Sequence, residues 1–386
     1  MLISEILFWT ALVTLVLMVA LLIEFARGNR SIQRLDDCEP MDAGNLPSVS
    51  IVIAARNEAR HIEESLRSVL NQDLPDTEFI IVNDRSTDDT GAILDRMSRE
   101  HPHLRVVHLV TLPAGWLGKT HAQHVGAQQA TGEWLLFTDA DVVMAPSTVR
   151  RALSYAIREG RDHVAVGPRF HMPGVWLNMF AGAFVLFFGM YAKPWKARDP
   201  NSKRFIGIGA FNLVRTSHYR KCGGHAPIAM RPDDDMKLGK LWKMNGARQE
   251  FLFGGELMRV EWYATVRELV RGLEKNSFAG VDYSLLMVIG ASVAQLAVFV
   301  WPWVATLIMR GPVQWLNAGN VLVSLALYVD NVRPHRLPRW HCMGIPATTL
   351  LFLYIVWNST IKALVNDGID WRGTHYPLKE LKASRL

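Results

Sequence analysis

The stretch Ile6–Ile23 constrains this chain more than any other feature: it holds 18 residues without a charge, and Thr10 and Thr14 are its only polar side chains. Wound as an α-helix it is about 27 Å long, close to the thickness of a bilayer's hydrocarbon core. No Lys or Arg precedes it, whereas Arg27, Arg30 and Arg34 follow. A cleaved secretory signal has the opposite charge order and a small-residue cleavage site. Residues 1–30 therefore read as a retained signal anchor, and the positive-inside rule puts the domain that follows in the cytoplasm.

Three more apolar stretches crowd the other end, about Leu285–Met309, Val313–Val329 and Cys342–Trp357. Residues 283–361 read as C-terminal membrane helices. The loop Asn331–His341 carries Arg333, Arg336 and Arg339, which marks it as cytoplasmic. If the last stretch crosses, the basic tail 362–386, with Lys362, Arg372, Lys379, Lys382 and Arg385, lands outside. That stretch is short and contains Pro346, so a crossing helix and a re-entrant or in-plane one both stay open. Val175–Ala192 is apolar and aromatic inside the soluble region, and reads as an interfacial helix or, equally, as a buried core helix.

Composition agrees with this division. With 49% hydrophobic and 20% charged residues the chain is too apolar to be disordered. A mean hydropathy of +0.09 fits a soluble part joined to membrane segments. The net charge of +6 comes without a basic run or a zinc motif, which points to anionic lipid and away from nucleic acid. Cys38, Cys222 and Cys342 are odd in number and far apart, against a disulfide framework and in keeping with a reducing compartment.

Between about Ser48 and Gly167 strand-like runs (Val49–Ala54, Glu78–Val82, Leu104–Leu109, Trp134–Phe137, Val164–Gly167) alternate with helical segments starting near Glu58, Asp88, Thr120 and Pro146. Such alternation predicts an α/β fold with a mostly parallel sheet, whose ligands bind outside the carboxyl ends of the strands. The polar residues gather there: Arg56 to Glu58, Asn83 to Asp89, and Thr138 to Asp141. Asp139 and Asp141, after a buried strand, suit a hard divalent cation such as Mg²⁺ or Mn²⁺, which takes carboxylate oxygens and bridges to phosphates. Asp84 falls at the mouth of the crevice, while Asp88 suits a helix cap.

Gly118-Lys119-Thr120 mimics a nucleotide-binding P-loop, but the required spacing puts Pro113 at the first glycine, where a phosphate cradle needs a free N–H. Farther on, Asp233, Asp234 and Asp235 precede a helical segment, and crowded carboxylates in a partly dehydrated cleft suit a general base. The run Gly207–Arg215 reads as a glycine-rich turn entering a strand, open to close approach by a ligand.

Together these pieces resemble the membrane-bound family 2 glycosyltransferases with the GT-A nucleotide-sugar fold. Residues 49–58, Asp84, the Asp-Ala-Asp of 139–141 and the Asp-Asp-Met-Lys-Leu-Gly of 234–239 fall in that family's order. Gly115–Lys119 and the tail's Trp371–Tyr376 look like the branch that holds ceramide glucosyltransferases and hopanoid- or carotenoid-associated bacterial enzymes. The resemblance implies a catalytic domain over 45–275 that binds a nucleotide-diphosphate sugar. Ala54, Arg56 and Glu58 would line the nucleotide pocket and Asp84 would hold the base. Lys119 would approach the diphosphate, Asp139 would meet ribose or metal, and Asp141 the metal. The family's base is the second acid of E-D-x-x-L-G; here Asp234 replaces the Glu and Asp235 takes the base position, with the choice among the three aspartates still open.

The implied reaction is inverting, metal-dependent transfer of one sugar to a hydroxyl or carboxyl of a membrane lipid at the inner (cytoplasmic) membrane. Processive synthases of the family carry Q-x-x-R-W, and Val266–Lys275 lacks that Trp, which favours single transfer over polysaccharide synthesis. A non-catalytic membrane protein that binds nucleotide sugar is the rival, and it would need no base.

Overall fold

The computed structural model describes Leu2–Ser384 and Leu386; Met1 and Arg385, the last basic residue of the tail, lie outside the described residues. The chain folds into two units: one is built of residues up to Ser31, Met172–Lys193 and Trp262–Leu378, the other of Ile32–His171, Pro194–Glu261 and Lys379–Leu386.

The chain opens with α1 (Leu2–Ser31), which belongs to the first unit. The second unit then begins with β1 (Val49–Ala55), α2 (Ile62–Leu70), β2 (Thr77–Asp84), α3 (Thr90–Glu100), β3 (Leu104–Leu109), α4 (Gly118–Gln129) and β4 (Trp134–Asp139). It continues through β5 (Val142–Met144), α5 (Thr148–Arg158), β6 (His163–Gly167) and β7 (Arg169–His171). The chain leaves it for α6 (Gly174–Ala192) and returns for β8 (Asn212–Arg215), α7 (Thr216–Lys221), α8 (Asp234–Met244), β9 (Gln249–Phe253) and β10 (Met258–Glu261).

Seven of these strands form one sheet in the order β3-β2-β1-β4-β8-β6-β9. β1 lies parallel between β2 and β4, with Val49 opposite Thr77 on one side and Trp134 on the other. β1 reads Val-Ser-Ile-Val-Ile-Ala-Ala because both its faces are covered: Ile51 and Ile53 enter one apolar core, Val52 the other. The mostly parallel α/β sheet expected from the sequence is present, with β8 antiparallel to both β4 and β6. β5, β10 and β7 make a separate small sheet.

One helix starts later than its sequence suggests. Residues 56–61 form a loop, and α2 begins at Ile62. Asn57 has φ 54°, its amide N–H donates to Ser86 Oγ at 3.0 Å, and those of Glu58 and Ala59 donate to Thr90 Oγ1 and Asp88 Oδ2 at 2.8 and 3.1 Å. Donors that would open a helix are taken by the β2–α3 turn. Asp88 also accepts from the Thr90 N–H at 3.1 Å, so it serves the helix end as expected.

The first unit resumes with α9 (Val266–Ser277), α10 (Leu285–Gln295), a π-helical turn at Leu296–Val300, α11 (Trp301–Ile308), α12 (Pro312–Val332) and α13 (Ile345–Val365). A hairpin of β11 (Gly368–Trp371) and β12 (Thr374–Pro377) follows, then α14 (Leu378–Ala383). Among the described residues four stretches are long and apolar enough to cross a membrane: Leu2–Ser31, Gly174–Lys196, Leu285–Ile308 and Arg339–Val365. α12 is more polar; its Asn317, Asn320 and Ser324 are buried, and Asn320 Nδ2 donates to the Ala11 carbonyl of α1 at 3.0 Å. Such amides bind helices to one another where water is scarce. α6 buries Phe180 and Phe187 against Phe352 of α13, at ring distances of 6.4 and 5.1 Å.

Candidate active site

β1, β2 and β4 run parallel, so their carboxyl ends meet at one edge of the sheet, and the polar residues of the α/β unit converge there. Ala54 ends the regular part of β1, opposite Val82 of β2 and Asp139 of β4. A small side chain at that place leaves the crevice open between the strand ends.

Asp84 closes β2 and is almost wholly buried. Arg85 holds it with two bonds, Nε to Oδ1 at 2.7 Å and Nη2 to Oδ2 at 3.1 Å, and Arg56 Nη1 reaches Oδ2 at 3.4 Å. Paired donors on both oxygens fix the orientation of a carboxylate. Arg56 and Asp84 are thus brought together, and Arg85, a member of the polar run 83–89 given no role of its own from the sequence, joins them. Arg85 has φ 55°, a turn conformation that brings its guanidinium back over Asp84.

The second cluster forms around Lys119, in the first turn of α4. Its ammonium lies 2.7 Å from Asp139 Oδ1 and 3.4 Å from Asp234 Oδ2. Burial alone would lower the pKa of this lysine, but Asp139, Asp234 and Asp235 together push it up, so it stays charged. Asp141 stands just past β4. Burial, and then Asp139 and Glu58, push its carboxyl up to about 7. Glu58 therefore takes part in this acidic group through its field.

The three consecutive aspartates separate into distinct environments. Asp233 is taken by the fully buried Arg231, with bonds of 2.9 Å to each oxygen, and by Lys237 at 3.5 Å. Asp234 is buried and faces Lys119. Asp235 keeps some exposure and accepts from two backbone amides, Gly209 N–H at 2.8 Å and Met236 N–H at 2.7 Å. Burial and the neighbouring Asp234 push the Asp235 carboxyl up to about 7, against the pull of Lys119. A carboxyl with that value, fixed in direction and reachable, has the properties of a general base near neutrality.

The glycines of the 207–209 turn make this possible. A Cβ on Gly207 would run into the carbonyl of Asp235, and one on Gly209 would come within 2.6 Å of Asp139 Oδ2. The small residues thus let backbone, rather than a bulky ligand, approach both carboxylates. Gly209 is a site residue that sequence reasoning placed only as part of a turn.

The residues fit a divalent cation in part. Asp139, Asp141 and Glu58 form a group in which ionisation of Asp141 is resisted, and a hard cation would relieve that. Among the described residues no group of three or more His, Cys, Asp or Glu is placed to hold a metal unaided. A cation bound by one or two carboxylates and completed by substrate phosphates matches this donor set.

This arrangement, an α/β sheet with an acidic crevice at the switch between parallel and antiparallel strands, defines a GT-A type of fold. Residues 50–223 match the model of Glycosyl transferase family 2. The chain is similar to the 4,4'-diaponeurosporenoate glycosyltransferase of Staphylococcus aureus, 27% identical over 183 residues, which are 47% of each chain. It thus spans about half the length of the curated relatives it matches. A mannosyltransferase from Pyrobaculum calidifontis, solved with GDP-Man and Mn²⁺, shares the fold with a TM-score of 0.57 at 19% identity, over 93% of this chain and 99% of that one.

Proposed function

We propose that the chain is an inverting glycosyltransferase that moves one sugar from a nucleotide-diphosphate donor to a hydroxyl or carboxyl of a membrane lipid. The observation that carries this is Asp235: a partly exposed carboxyl, pushed up to about 7 and aimed by the Gly209 amide, beside the Lys119–Asp139 pair. Asp235 takes the proton of the acceptor hydroxyl (an acceptor carboxylate needs no base). The acceptor oxygen attacks from the face opposite the leaving diphosphate and inverts the anomeric centre, without an enzyme nucleophile. Arg56 and Asp84 hold the base end of the donor, and Lys119 faces its diphosphate. Mg²⁺ or Mn²⁺ at Asp139 and Asp141 would supply Lewis-acid stabilisation of the leaving group. The Staphylococcus relative, named for a carotenoid-type acid, and the GDP-Man complex support a lipid acceptor and a nucleotide-sugar donor.

The test incubates membranes bearing the protein with labelled nucleotide sugars and looks for label in extracted lipid. Transfer should appear with wild type and fail with Asp235→Asn while donor binding persists. Wild-type transfer by that variant would remove Asp235 as the base.

Parity supports a membrane layout. The chain leaves the α/β unit after Glu261 and re-enters it at Lys379, and Lys240 Nζ bonds the Leu386 carbonyl at 2.6 Å. An even number of crossings must lie between. α10 with α11 makes one and α12 the other, whose end meets that of α1 through Asp330 and Arg30 at 3.7 Å. α13 then lies in the plane or re-enters, its far end tied to α9 by Asn358 and Lys362 on Glu274 at 2.9 and 2.7 Å. α6 leaves and rejoins the α/β unit in the same way, which supports an in-plane helix over a crossing one. The basic tail stays cytoplasmic. A C-terminal green fluorescent fusion should glow and a phosphatase fusion stay silent; the reverse pattern would put the tail outside.

A further inference from the structure

Lys119 lies against two carboxylates of the acidic cluster at once. Lys119 sits at 2.7 Å from Asp139 and 3.4 Å from Asp234, and Asp139 remains 37% exposed on the side of the crevice. Its oxygen Oδ1 is therefore shared ground: an ammonium occupies it now, and the divalent cation of the donor complex needs the same carboxylate. Two cations cannot both lie against one carboxylate oxygen without repelling each other strongly at such short range.

We infer that Lys119 is a positioning residue that competes with the divalent metal for Asp139, so that metal enters well only when a nucleoside diphosphate draws the lysine away. The inference rests on the donor-site reading above and adds an order to it. Without nucleotide, Lys119 keeps the Asp139 carboxylate neutralised and aligned. An incoming diphosphate offers the ammonium new anionic oxygens and releases Asp139, which would then be free to hold a divalent cation that supplies Lewis-acid stabilisation. Metal and nucleotide then strengthen each other's binding by the same factor, as linkage requires.

The experiment needs no turnover. Mn²⁺ binding to the full chain in detergent is followed by the electron paramagnetic resonance of free Mn²⁺, and binding of UDP and of GDP by calorimetry, each alone and then with MnCl₂. In Lys119→Gln, Mn²⁺ alone should bind at least about fivefold tighter than in wild type, while UDP or GDP alone binds weaker by a comparable factor. Shifts in opposite directions are the signature, because a variant that merely damages the fold weakens both. Lys119→Arg, which keeps the charge, should bind Mn²⁺ alone no tighter than wild type does. Mn²⁺ affinity in Lys119→Gln equal to or below that of wild type, with nucleotide still bound, overturns the competition. So does an Arg variant that gains Mn²⁺ affinity as the Gln variant does. If wild type binds neither UDP nor GDP, with or without MnCl₂, the donor-site reading itself falls and takes the inference with it.

Discussion

The ends of β2 and β4 lie at one edge of the same sheet, two strands apart, yet they treat their carboxylates differently. At the end of β2, Asp84 has two guanidinium groups on it and is closed to solvent. Around the end of β4, Asp139 and Asp234 lie against Lys119, and Asp141 and Asp235 are pushed up to about 7. The first region is balanced and can only present a fixed shape. The second is short of positive charge and gains from whatever brings it. On the proposed function, a binding pocket and a reaction centre would thus differ in charge balance before any ligand enters.

The largest effect that would sharpen this contrast falls on the unbalanced region. Asp235→Asn should lower transfer by about 10²–10⁴-fold, the usual worth of a positioned base, and leave nucleotide affinity in place. Lost nucleotide binding would mean that Asp235 serves the donor instead. On the balanced side the expected loss is in stability. Asp84→Asn leaves Arg56 and Arg85 without their buried counter-charge, at about 3 kcal/mol, read as a lowered unfolding midpoint. An unchanged midpoint would show that the arginines find other partners, and the contrast between the regions would fail.

Gly207→Ala comes next. Its methyl group would collide with the Asp235 carbonyl and push α8 outward, costing about 1–3 kcal/mol and reducing transfer more than nucleotide binding. Equal loss of both would argue against a local displacement of the base.

The smallest effect is a pH dependence. In the folded protein Asp235 keeps its proton up to about pH 7, while the unfolded chain loses it in the ordinary carboxylate range. Its contribution to stability is therefore whole below that range and is lost as pH rises through 7. Asp235→Asn should gain more in unfolding midpoint over wild type at pH 8 than at pH 6, in EDTA and without nucleotide. The same gain at both pH values would mean that the carboxyl titrates normally. Transfer by wild type should rise through the same window.

Much of the balanced region was legible in the sequence, because strand runs such as Glu78–Val82 end in polar turns and the turn residues name the crevice. Asp139 at the end of β4, Asp141 just past it, and Lys119 and Asp235, second in α4 and α8, were also named from the sequence. What stayed hidden depends on chain approaches across long separations. Nothing local tells that Lys119 reaches Asp234, or that the Gly209 amide, 26 residues away, holds Asp235. The three aspartates of 233–235 look alike in the sequence. Arg231 sorts them, and it does so only because its side chain is fully buried beside Asp233. The helix start near Glu58 failed for the same reason: its donors were satisfied by Asp88 and Thr90 on another loop.

The placement of α6 has a consequence for how the protein is made. β6 pairs with β8 and with β9, and both of those strands follow α6 in the chain. As synthesis proceeds from the N-terminus, the ribosome delivers an apolar, aromatic helix while the sheet still lacks β8, the strand that joins β6 to β4. The half-built sheet and the membrane segment are exposed at the same moment. In the proposed membrane layout, early docking of α1 would keep that helix beside a bilayer when it emerges. Targeting thus becomes a step in folding the catalytic sheet, and a chain deprived of α1 should be lost to aggregation before its active site can assemble.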